Sequence, residues 1–288
     1  MIIYTIFCSH PFHHFGTFLL KWCRKFCRDG NKSFLILFLL IFKLTLNVEA
    51  QSSDYTQLWN EIQFSRPFND KWSSEINLGG TFSNTPTDNR LLHTNIQRTA
   101  RVWAHYYYSS RWKFSSFTAY YYNKDVPDIG QYKANEWRFA IQGIYYFHKL
   151  GYTLSTRGRV ELRYIQDEKG VYEDIYRYRQ QIRFVKPINS QVMRQGVYYL
   201  LASDELFLRS KSKTSGLKHF DRNRFTAGAG FLITDDLQVE LAYANEYLPR
   251  DDGNQVVNAV TVTISFNNFL PNLKKKIAAN LDDTDQGD

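Results

Sequence analysis

The sequence predicts an all-β chain: a transmembrane up-and-down antiparallel β-barrel of 10–12 strands, with short periplasmic turns and longer external loops. Three observations carry this. From Gln57 onward apolar and polar residues alternate with period two, short and long connections alternate along the chain, and aromatic residues gather beside the short connections. Composition agrees. Over 288 residues, 43% hydrophobic and 22% charged excludes a disordered chain, and 17% aromatic suits strands better than helices.

The first element is a leader. Residues 34–42 are wholly apolar, follow Lys21, Arg24, Lys25, Arg28 and Lys32, and precede the small-x-small pattern Val48-Glu49-Ala50. The run falls well short of the roughly 20 residues a spanning helix needs. It reads as a secretory signal peptide over 1–50, cleaved between Ala50 and Gln51. Its first 32 residues are long for an amino-terminal region and suggest an over-extended start, although no methionine before Met193 offers a replacement. Cys8, Cys23 and Cys27 all lie in the leader, which excludes a disulfide-stapled scaffold or a lipoprotein anchor for the exported chain. Of 36 basic and 28 acidic residues, the leader holds six and two, so the remainder carries only 30 against 26. A nucleic-acid partner gains no support from so small a surplus.

Strands are expected at 57–67, 72–82, 96–108, 112–122, 136–147, 152–165, 176–186, 196–209, 221–233, 237–248 and 256–267, making a barrel domain over 51–269. Their connections are short at 68–71, 109–111, 148–151 and 234–236, somewhat longer at 187–195, and long at 83–95, 123–135, 166–175, 210–220 and 249–255. Phe68 and Trp72, Tyr108 and Trp112, and Phe147 and Tyr152 flank the first three short turns, as an interfacial girdle would. Eleven segments sit awkwardly with the even numbers of bacterial barrels. Either 57–67 is an accessory to a ten-stranded barrel or two strands have been read as one. Residues 270–288 are expected to be a polar periplasmic tail.

The strand faces assign an interior. Val160, Leu162 and Tyr164 oppose Arg157, Arg159, Glu161 and Arg163; Phe225, Ala227 and Phe231 oppose Arg222 and Arg224; Leu237, Val239 and Leu241 oppose Gln238 and Glu240. Inward phases thus collect Arg157, Arg159, Arg163, Arg177, Arg179, Arg183, Arg222 and Arg224 against Glu161, Glu205, Glu240 and Glu246. Rings of arginine attract anions in pores, and guanidinium forks suit carboxylate, sulfate or phosphate. Folding the hairpins symmetrically about their turns predicts a transverse ladder Arg177–Glu205–Arg224–Glu246. Such a ladder also has a purely structural reading, since buried charges are normally paired.

Enzymatic signals are sparse. Of the histidines after the leader, His93 and His219 fall in loops and His148 in a tight turn, while His105 shares a strand face with Trp103 and Tyr107. A lone strand histidine is more often structural than catalytic. No histidine pair has metal-ligand spacing, and no phosphate loop occurs, so neither a metal nor another cofactor is expected. Asp204 and Glu205 are adjacent strand residues that point to opposite faces and cannot form an acid/base couple.

The segment Asp204 to Leu208, the segment Phe220-Asp221-Arg222-Asn223-Arg224-Phe225-Thr226-Ala227-Gly228, and Leu237 to Tyr243 together resemble the domain of unknown function 2490 (DUF2490) family. Leu58-Trp59 and Arg177-Tyr178-Arg179 are similar to it as well, so the resemblance covers about 55–269. It implies an exported outer-membrane barrel of Bacteroidota and no particular reaction. The reading that follows is an outer-membrane protein acting as a small pore or structural envelope component with an Arg-rich lumen. Its expected partners are outer-membrane lipid and small anionic solutes or oligosaccharides, and its oligomeric state is open. The alternatives are a barrel enzyme acting on envelope lipids and a soluble periplasmic β-barrel binding an apolar ligand.

Overall fold

A computed structural model of the chain describes residues 52–84, 94–126, 129, 133–149, 151–250 and 253–268. The leader and tail expected at 1–50 and 270–288 lie outside them. The described residues form eleven strands: β1 (Ser52–Pro67), β2 (Trp72–Ser83), β3 (Thr94–Tyr107), β4 (Trp112–Lys124), β5 (Lys133–Lys149), β6 (Tyr152–Gln166), β7 (Tyr172–Pro187), β8 (Tyr198–Arg209), β9 (Phe220–Leu232), β10 (Leu237–Leu248) and β11 (Asn254–Phe266). Each pairs antiparallel with the next, and β1 closes on β11 to complete a barrel. An up-and-down meander with an odd number of strands can close only through a parallel pair, and β1–β11 is that pair. Segment 57–67 is therefore neither an accessory strand nor a misread pair. It belongs to a full stave bonded on both sides.

Local chemistry sets the turns. At the β1–β2 turn, Asn69 Oδ1 accepts from the backbone N–H of Lys71 and Trp72, both at 2.9 Å. Ser109 Oγ brackets the β3–β4 turn through Arg111 (3.3 Å) and Trp112 (3.2 Å). Thr234 Oγ1 does the same at β9–β10 through Asp236 (3.2 Å) and Leu237 (3.0 Å). Short polar side chains that bond two or three residues ahead favour tight reversals over continued pairing.

The two faces have opposite chemistry. Ile76, Leu78, Val102, Ile141, Val160 and Leu241 point outward and are about half exposed or more. At the short-turn rim, Phe68, Trp72, Tyr108, Trp112, Phe147 and Tyr152 are exposed too. Neighbouring rings pack along this rim, Trp72 on Tyr106 (4.8 Å between centroids), Trp112 on Tyr145 (4.9 Å) and Tyr198 on Phe231 (4.3 Å). The interior is layered. Ile96, Val126, Ile129, Ala134, Ile165 and Ile175 form an apolar cluster at the long-loop end. Charged side chains occupy the middle, and Trp103, Phe117, Ala119, Tyr121 and Ala140 pack against the β3–β5 wall.

Candidate functional site: the arginine-lined lumen

Alternation on β6 and β7 points Arg157, Arg159, Glu161, Arg163, Arg177, Arg179 and Arg183 inward, and neighbouring strands supply their counter-charges. Glu161 accepts from Arg177 (2.6 Å), Arg179 (2.8 Å) and Arg159 (3.3 Å). Glu205 on β8 accepts from Arg179 (2.8 Å) and Arg157 (2.5 Å). Asp221 on β9 takes Arg222 (3.2 Å), Arg209 (3.3 Å), Arg177 and Arg250 (both 3.4 Å). Glu246 on β10 takes Arg222 (3.1 Å) and Arg224.

These contacts join eight guanidinium groups and four carboxylates into one network, an excess of four positive charges. The Phe207 ring sits among four of them, with Arg179 4.3 Å, Arg224 5.1 Å, and Arg177 and Arg222 5.5 Å from its centroid. The negative face of the ring stabilises cations that the acids alone would leave crowded. Smaller ion pairs flank the network: Glu136 with Arg163 and Arg138, both 2.7 Å, Glu61 with Arg101, and Glu240 with Arg183 (2.8 Å). Tyr199 also donates its hydroxyl hydrogen to Glu240 at 2.8 Å.

All twelve residues singled out from the sequence are thus part of the lumen's ion pairs, but the pairing is not the simple ladder. Glu205 faces Arg224, and Arg224 faces Glu246, in register. Arg177 faces Arg209 instead, and Gln181 is the residue opposite Glu205. The longer β7–β8 connection shifts the register away from a symmetric fold-back. Arg177 consequently reaches Glu161 and Asp221, while Arg179 serves Glu205.

Sequence reasoning missed Glu61, Arg101, Glu136, Arg138, Arg209 and Asp221. Arg101 was legible, because it shares the inward phase of Trp103 and His105, and Arg138 shares that of Ala140. Asp221 was not. The β8–β9 register shifts between Phe207 and Leu208, so Phe207 faces Arg222 and Leu208 faces Phe220. The extra residue, Asp221, is fully buried beside Arg222. A bulge re-aims a side chain that alternation alone would send outward.

A cavity of about 580 Å³ runs between this arginine wall and a wall of amides on β1–β3 that includes Gln57, Gln63, Asn77 and Gln97. It is lined from Ile96, Val126 and Leu248 at the long-loop end to Glu75, His105 and Lys113 near the short-turn end. Trp59 lies across from the network, its ring 4.8 Å from the Arg224 guanidinium. His105 stacks on Trp103 (5.6 Å), places Nδ1 2.9 Å from Ser115 Oγ, and has Nε2 3.6 Å from Glu75. No cluster of His, Cys, Asp or Glu suited to a metal ion occurs among the described residues.

Among solved structures, LpxR from Salmonella typhimurium is similar to this chain at 10% identity and a TM-score of 0.44, over 71% of this chain and 86% of that one. No curated protein matches the sequence. The profile of the family described as "Protein of unknown function (DUF2490)" matches residues 56–257, and the chain belongs to that family.

Proposed function

We propose that this protein is an outer-membrane barrel whose lumen is a narrow, anion-preferring conduit. Two features support the membrane. The apolar outer face with its aromatic rim is far larger than a soluble protein tolerates, and among the described residues no second apolar layer covers it. The observation that carries the anion preference is the shared network of eight guanidinium groups on four carboxylates, of which Arg157, Arg159, Arg177, Arg179, Arg222 and Arg224 line the cavity of about 580 Å³ against Glu205 and Glu246. Fixed positive charge in a low-dielectric wall raises the local concentration of anions and repels cations. The apolar cluster at the long-loop end narrows the conduit, which limits it to small solutes. Purified barrel in a planar bilayer under a tenfold KCl gradient should conduct with a reversal potential of the sign set by chloride. A silent bilayer, or potassium preference, would overturn the reading.

A further inference from the structure

We infer that Ser115, His105 and Glu75 form a nucleophilic acyl-transfer site at the short-turn end of the lumen. The three come from three adjacent strands, and pairing fixes them. His105 on β3 faces Ser115 on β4 in register, and Glu75 on β2 is opposite Trp103, one inward step from His105. Ser115 Oγ lies 2.9 Å from His105 Nδ1, while Nε2 on the far side of the ring lies 3.6 Å from Glu75 Oε2. Nε2 is buried and makes no hydrogen bond among the described residues, and Glu75 is the carboxylate beside it. The tautomer that puts hydrogen on Nε2 leaves Nδ1 free to accept the serine proton, which is the arrangement an activated hydroxyl needs. Contacts of this kind are commonly long without substrate and tighten when it binds. Stacking on Trp103 holds the imidazole plane.

The site borders the lumen cavity at His105, with Ser115 buried against the imidazole, and it has a cation nearby. Glu75, His105 and Lys113 all line the lumen cavity, and Lys113 sits on the same face of β4 as Ser115, two residues before it. In the step assigned here, Ser115 Oγ forms a bond to an ester carbonyl carbon while its proton passes to His105 Nδ1. The tetrahedral oxyanion faces the Lys113 ammonium. Collapse breaks the ester C–O bond, and the proton moves from His105 to the departing alcohol. Water, activated by His105 in the same way, then releases the acid and restores Ser115. Glu75 is a positioning residue that holds the ring and its tautomer. The cavity's net positive lining selects small esters that carry a carboxylate. The assignment does not depend on whether ions pass through the lumen.

The test uses folded barrel in detergent, with heat-modifiable gel mobility as the measure of folding. A fluorophosphonate probe, located by peptide mass spectrometry, should modify Ser115 in the wild type. It should leave Ser115 unmodified in folded His105→Ala. Release of 4-nitrophenolate from mono-4-nitrophenyl succinate should fall at least 100-fold in Ser115→Ala and at least tenfold in Glu75→Gln, with gel mobility unchanged. Folded wild type that carries no adduct at Ser115, or that releases nitrophenolate no faster than Ser115→Ala, would overturn the assignment. The wild-type adduct is decisive even where a variant fails to fold.

Discussion

Asp221 and Gly230 show how much single positions decide inside the wall. Asp221 gathers Arg177, Arg209, Arg222 and Arg250 from β7, β8, β9 and the loop after β10, so one carboxylate ties three strands and a loop together. Gly230 has the opposite role, because it must be absent as a side chain. A Cβ there would stand 2.1 Å from the Tyr199 ring, which crosses β9 to reach Glu240 on β10. Gly230→Ala should therefore force the ring aside and lower stability by about 1–3 kcal/mol, read as a shift of the urea midpoint for unfolding from lipid. An unchanged midpoint would show that the tyrosine has room to move. The glycine could be placed on the inward face from sequence, but the reason for it could not, since the crossing ring belongs to a strand thirty residues away. Asp221 was hidden for a related reason: its orientation depends on a register slip between two strands, and such a slip leaves no periodic trace.

At the scale of the strand, alternation was enough to assign the faces. β6 shows why: Val160 is half exposed outward, while Arg159, Glu161 and Arg163 on either side of it are buried in the lumen. A strand whose two faces differ this much has one acceptable register, since a slip of one residue would turn its arginines onto the apolar outer face. Val160→Arg, near the middle of β6, should cost about 2–4 kcal/mol of stability, measured by reversible unfolding in bilayers of defined thickness. A neutral effect would remove the outer face from the hydrocarbon. Strand ends were less legible than strand faces. The seventh segment was expected at 176–186 and runs from Tyr172 to Pro187, because Glu173 accepts from Ser212 Oγ (2.8 Å) and from the backbone of Lys213 and Thr214 (2.9 and 3.0 Å) in the following loop. Pairing between a strand end and a distant loop cannot be read from spacing.

At the scale of the whole molecule, closure is the feature with the least sequence signal. Nothing in the composition of β1 or β11 announces that they run parallel, and the count of eleven became intelligible only with the seam. The seam is directly testable, because no cysteine follows residue 50. Leu58 and Val260 are register partners across it. In the double variant Leu58→Cys, Val260→Cys, mild oxidation should give a disulfide in folded barrel, seen as a mobility difference between oxidised and reduced protein after unfolding. Reaction only after unfolding, or none, would mean an open sheet. The lumen, by contrast, was legible in outline. Inward phase alone located the arginine surplus, while the partition of carboxylates among them needed the real registers.

The parallel seam also has a geographical outcome. β1 enters from the rim with the long loops and β11 leaves at the rim with the tight turns. In a barrel with an even number of staves, the two flanking segments would emerge side by side. Here, once the cylinder is seated in a bilayer, the two described ends of the barrel, Ser52 and Asn268, face different compartments. Tags or reporters fused at those two places would sample opposite sides of one membrane.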